Sequence, residues 1–88
     1  MYKIVMFCRG VPEQLGPQAA LDITEEFKFR TWHERALCLW DGFLLKLQVE
    51  NDFDDNGLAT QGEFSDAISA CVSGDFAGDI VIEQISEY

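Results

Sequence analysis

Residues 40–50 read Trp40-Asp41-Gly42-Phe43-Leu44-Leu45-Lys46-Leu47-Gln48-Val49-Glu50, and the fold turns on whether they form a hairpin or a helix. Phe43, Leu45, Leu47 and Val49 fall on one side of an extended chain, with Leu44, Lys46, Gln48 and Glu50 on the other. That period of two belongs to a half-buried strand. Asp41-Gly42, set between two apolar runs, predicts a tight hairpin with a type I′ turn, which needs positive φ at both central residues. A helix is the rival reading, because Ala36, Trp40, Phe43 and Leu47 also match helical spacing. Gly42 inside that helix would cost about 1 kcal/mol relative to Ala. The hairpin is the favoured reading.

Working outward, Leu37–Trp40 supplies the strand before the turn. Phe27-Lys28-Phe29-Arg30-Thr31-Trp32 begins with apolar–charged alternation and predicts a further strand. The two together with 43–49 make a three-stranded meander. If Phe27 and Phe29 face inward, parity turns Trp32 outward, where it would suit a binding anchor. Trp40, Phe43 and Phe53 are expected mostly in the core. Tyr2–Cys8 is rich in β-branched and aromatic residues and predicts an opening strand. Residues 12–24 hold Pro12, Gly16 and Pro17, and are open to a plain connection or to a short helix from Pro17. Phe64, Ala67, Ile68, Cys71 and Val72 repeat at i, i+3, i+4, i+7 and i+8, the stripe of an amphipathic helix. Gly74 is its expected stop, and Ile80–Ile85 a closing strand. The expected fold is α+β over a single domain, 1–88: a small, mostly antiparallel sheet (strand, connection, three-stranded meander, helix, strand) with one main amphipathic helix packed on it.

With 48% hydrophobic residues the chain is not of the disordered class, which combines low hydrophobicity with high charge. No apolar run approaches the roughly 20 residues of a membrane span, and the apolar start is too short for a signal peptide. The three cysteines, Cys8, Cys38 and Cys71, form no CxxC pair, and each sits among apolar neighbours. An odd, scattered set reads as small buried hydrophobes in a reducing compartment, so a cytoplasmic location is expected.

The net charge is −10, and its distribution is lopsided. All six Lys and Arg lie within residues 1–46, where six acids balance them. Residues 47–88 hold ten acids and no Lys or Arg. Such a half-chain repels nucleic acid and anionic membranes, and attracts cations and basic protein surfaces.

Residues 52–63 read Asp-Phe-Asp-Asp-Asn-Gly-Leu-Ala-Thr-Gln-Gly-Glu, which fits the pattern D-x-[DN]-x-[DN]-G, five residues, then E. The stretch and the helix after it resemble the EF-hand family. The resemblance implies a calcium site with side-chain oxygens from Asp52, Asp54 and Asn56, the backbone carbonyl of Leu58, Thr60 directly or through a water, and a bidentate Glu63, with Gly57 at the sharp turn. Ala59 stands where that family carries a larger aliphatic residue, and Asn51 and Gln48 where its entering helix is apolar. A second reading of the same residues is a solvated acidic turn before a capped helix. Thr60-Gln61-Gly62-Glu63 fits the capping box S/T-x-x-E, with Glu63 reaching back to the Thr60 backbone.

No acid–base pair or activated nucleophile converges in sequence, since His33 and Glu34 point oppositely on a strand, so no enzyme activity is expected. The leading functional expectation is a small acidic interaction module. Its C-terminal half would present carboxylates (Asp52, Asp54, Asp55, Asp66, Asp75, Asp79, Glu83, Glu87) to a basic partner, such as a nucleic-acid-binding protein inhibited by phosphate mimicry. The alternatives are a calcium-binding domain using the 52–63 loop and a globular domain whose acidic surface serves solubility alone.

Overall fold

The computed structural model describes residues 1–72 and 78–88. Six elements follow one another: β1 (Tyr2–Arg9), α1 (Gly16–Lys28), β2 (Glu34–Trp40), β3 (Leu45–Asn51), α2 (Leu58–Cys71) and β4 (Asp79–Glu87). The strands form one sheet in the order β2-β3-β1-β4, and every neighbouring pair is antiparallel. The protein is therefore α+β, with helices packed on a small antiparallel sheet. β1 and β2 run parallel with β3 between them, and β3 and β4 run parallel with β1 between them. These two interleaved split β-α-β units are the ferredoxin-like arrangement, a topology that by itself assigns no activity.

Ile4, Met6 and Cys8 of β1 and Leu45, Leu47 and Val49 of β3 point to the helix side and are fully buried. They join Ala19, Ala20, Ile23 and Phe27 of α1 and Phe64, Ala67 and Ile68 of α2 in one core. Both helices thus lie on one face of the sheet, and among the described residues no element covers the other. The chain ends meet, for the Tyr88 N–H donates to the Met1 carbonyl at 2.9 Å.

Three expectations need correction. The first concerns the meander and the single main helix. Residues 16–28 are a full helix with Pro17 in its first turn, and 27–32 is its end plus a turn. Phe27 is buried as part of the repeat Gly16, Ala19, Ala20, Ile23, Phe27, whereas Phe29 is 80% exposed. The apolar–charged alternation at 27–30 arises because α1 ends there: Phe27 faces the core and Phe29 follows the last turn. Two strands, β2 and β3, stand where three were expected, joined by the predicted hairpin.

Second, the hairpin turn spans four residues, Asp41–Leu44, rather than two. Only Gly42 has positive φ (103°), so it is no type I′ turn. The Asp41 carboxylate accepts the Phe43 and Leu44 N–H groups at 2.8 and 2.7 Å and shapes the turn itself. These donors hold its pKa below the ordinary value. Phe43 is left 83% exposed, and Phe53 is also exposed, so neither belongs to the core; Trp40 is half-buried.

Third, α2 begins at Leu58, earlier than its apolar stripe. The stripe itself is as read, with Phe64, Ala67, Ile68 and Val72 buried, Cys71 half-buried, and Ser65, Asp66 and Ser69 exposed. Gly74 and Asp75 lie outside the described residues.

Candidate functional site

Residues 52–57 join β3 to α2, and the side-chain oxygens of Asp54 and Asn56 are turned to the start of the helix. Gly57, at φ 76°, is the N-cap, and its bare α-carbon suits that backbone. A Cβ there would also approach Ile82 and Ile85 to 3.1 and 3.2 Å. The first turn of a helix exposes N–H groups with no internal partner. Here Asn56 Oδ1 accepts the Leu58 N–H at 3.0 Å, and the buried Asp54 carboxylate accepts those of Ala59 and Thr60 at 3.4 and 2.7 Å. A carboxylate at this end is also favoured by the helix dipole. Thr60 is thus inside the helix and not its cap, and Glu63 does not reach back to it. The expected capping box is replaced by Asp54 and Asn56.

The remaining expected ligands are placed apart from that cap. Asp52 is exposed, Leu58 already sits in the first turn of α2, and the Thr60 hydroxyl accepts from Asn51 Nδ2 at 3.5 Å. Glu63 turns towards the segment joining α1 to β2. Among the described residues no group of three or more His, Cys, Asp or Glu side chains is gathered where it could hold a metal ion.

The acceptor role of Glu63 builds the most connected polar cluster among the described residues. Its carboxylate accepts the Trp32 indole N–H at 2.9 Å and the His33 Nε2–H at 2.5 Å, with Arg30 Nε at 3.7 Å. On the far side of the ring, Asn51 Nδ2 lies 3.3 Å from His33 Nδ1. Asn51 Oδ1 accepts the N–H groups of Phe53 and Asp54, at 3.3 and 3.0 Å, which orients the amide so that Nδ2 donates. Nδ1 must then be the acceptor, and the proton sits on Nε2, facing Glu63. Arg30 lies over the Phe27 ring and binds Glu26, and the His33 ring packs against Phe27, Trp32 and Phe53. One chain of contacts therefore ties the α1–β2 turn, the end of β3 and the start of α2. The His33 side chain has no solvent exposure and both ring nitrogens are engaged, so the arrangement orients and holds. Sequence reasoning weighed only Glu34 as a partner of His33, set it aside, and missed Glu63, 30 residues away; no local signal points to it.

A second feature lies on the outer seam of the helices. Asp22, Glu25, Glu26 and Phe29 of the α1 side and Ala70 and Cys71 of α2 line a shallow groove of about 380 Å³. Its negative field acts on the half-buried Cys71 thiol, which is raised above its ordinary pKa by burial and then by Glu26 and Asp22. The other thiols are buried in the core, and Cys38 is pushed up to about 12, mainly by burial. Among the described residues no helix is long and apolar enough to cross a membrane. Comparison with protein-family models, with curated proteins and with solved structures finds no match to this chain.

Proposed function

We propose that this protein is a non-enzymatic acidic binding module whose helix-bearing side receives a basic segment of a partner protein. The observation that carries the reading is the seam groove: three carboxylates, Asp22, Glu25 and Glu26, beside a phenylalanine that is 80% exposed. Carboxylates steer a cationic partner and set the speed of encounter, while an exposed aromatic ring supplies contact area at small entropic cost. Lys28, the one basic side chain of α1, is tied to Glu25 at 2.9 Å on the exposed surface, a weak pair that a partner's Lys or Arg can replace. The partner expected from this chemistry is a Lys/Arg-rich amphipathic segment, such as those on nucleic-acid-binding proteins.

The test is the affinity of a labelled amphipathic Lys/Leu peptide for the full chain at low and high salt. Binding should weaken steeply with salt, and Phe29→Ala, which changes no charge, should weaken it about threefold or more. Glu25→Lys with Glu26→Lys should abolish it, while Asp41→Lys, at the hairpin turn, should leave most of it. Equal affinity for the wild type, Phe29→Ala and the double reversal would refute the seam as the site.

A further inference from the structure

The face of the sheet opposite the helices carries no net charge among the described residues, and we infer that a second copy of this chain docks on it. Side chains alternate along each strand, and burial of Leu45, Leu47 and Val49 on the helix side turns Lys46, Gln48 and Glu50 outward. The registers then place three rows across the bare face. Leu39, Lys46, Phe7 and Val81 stand side by side, then Leu37, Gln48, Val5 and Gln84, then Glu34, Glu50, Lys3 and Ser86. The first two rows are mainly apolar. Leu37 and Leu39 are 43% and 54% exposed, and Val5, Phe7 and Val81 are half-buried.

The charges decide the occupant. Four cations lie on this face: Lys3, Arg9, Arg35 and Lys46. Four acids accompany them: Glu34, Glu50, Asp79 and Glu83. Three pairs are in contact, with Arg9–Asp79 at 2.7 Å, Lys46–Glu83 at 3.1 Å and Arg35–Glu50 at 3.2 Å. Among the described residues the face is neutral, and the remaining ones, with two cations against eleven acids, carry the surplus negative charge. Two copies meeting elsewhere would press like charges together. Meeting sheet to sheet, they join neutral apolar surfaces and hold the acidic helix layers on opposite outer sides. A polyanion is poorly served by the same face, since three of its four cations already have acidic partners.

Pairing through the sheet edges is obstructed. On β2, Thr24 of α1 accepts the Cys38 N–H at 2.9 Å and contacts its carbonyl, and Arg35 bulges with φ 50°. On β4 the register slips opposite Val5 and Met6, leaving Glu83 out of the ladder. Covered and bulged edges resist strand addition, which leaves the face as the contact.

Sedimentation equilibrium of the full chain tests this. The expected result is a mass about twice 10.0 kDa, with tighter association at high salt as the repulsion of two anionic bodies is screened. Leu37→Glu with Leu39→Glu should raise the dissociation constant about tenfold or more, with an unchanged circular dichroism spectrum. Leu21→Glu, on the exposed side of α1, should leave it unchanged. A wild-type protein that stays monomeric at millimolar concentration overturns the inference, as does a dimer broken by Leu21→Glu and not by the β2 pair. So does a monomer whose Val5 and Phe7 resonances shift on adding a single-stranded oligonucleotide, which would give the face to nucleic acid.

Discussion

Replacing Glu63 by Gln keeps the shape of the side chain and removes one negative charge, and the two readings of this residue then part. Helix propensity barely distinguishes Glu from Gln, and a capping box accepts either, so a residue that only served α2 would tolerate the change. The structure gives Glu63 three cationic or N–H neighbours instead: Trp32 at 2.9 Å, His33 at 2.5 Å and Arg30 at 3.7 Å. Hydrogen bonds to a charged acceptor contribute about 1.5–3 kcal/mol each, against about 1 kcal/mol for neutral ones. The amide also turns an N–H group towards Trp32 or His33, where another donor already points. His33 cannot relieve this by moving its proton to Nδ1, because the Asn51 amide donates there and is held by Phe53 and Asp54. Glu63 is 22% exposed, so water softens the mismatch, and the loss should be about 2 kcal/mol. An 88-residue domain holds about 4–13 kcal/mol in total, and a loss of this size should lower Tm by about 8–16 °C. Urea unfolding followed by tryptophan fluorescence and by circular dichroism measures it, with Glu25→Gln, on the exposed face of α1, as the control near zero. A change below about 0.5 kcal/mol, or an unmoved Trp32 indole N–H resonance, would refute the network.

Other perturbations address other parts of the fold. Asp54→Ala removes the acceptor for two first-turn N–H groups of α2 and should cost about 1–2 kcal/mol in urea unfolding, with faster amide exchange at Ala59 and Thr60. Gly16→Ala would drive a Cβ into the Trp40 ring; it should cost about 1–3 kcal/mol and shift the Trp40 emission as α1 is pushed from β2. With Cys38 raised to about 12 in the fold and ionising near 9 when unfolded, its contribution is complete below pH 9. Stability should then fall as pH rises towards 12, by up to about 1.4 kcal/mol per unit, and Cys38→Ala should flatten that slope. Thiol labelling of the native protein near pH 8 should reach Cys71 first and the buried Cys8 and Cys38 only on unfolding.

What could be read from the sequence was what repeats locally. The alternation at Leu45, Leu47 and Val49 and the stripe Phe64, Ala67, Ile68 both state their own burial. The ends of elements were harder. Phe27 and Phe29 look like one face of a strand, yet one closes the core of α1 and the other lies past its last turn. Gly16 and Pro17 read as loop residues, although Pro suits a first helical turn and Gly16 is small because Trp40 lies against it. The 52–63 stretch shows the limit most clearly. Asp54 and Asn56 carry the same oxygens for a cation or for the N–H groups of α2, and the sequence does not record which lies nearby. Glu63 meets His33 and Trp32 only through the packing of α2 beside the α1–β2 turn, a relation with no period along the chain.

The hydrogen bond from Tyr88 to Met1 has a topological consequence. The two ends leave from neighbouring antiparallel strands, about 5 Å apart, so a linker of a few residues would close the polypeptide into a ring. New ends could then be cut at Gly42–Phe43, in the exposed turn, with every strand pairing kept. By the same geometry these residues could be spliced into a surface loop of a host protein, entering and leaving at one point without prying the host apart.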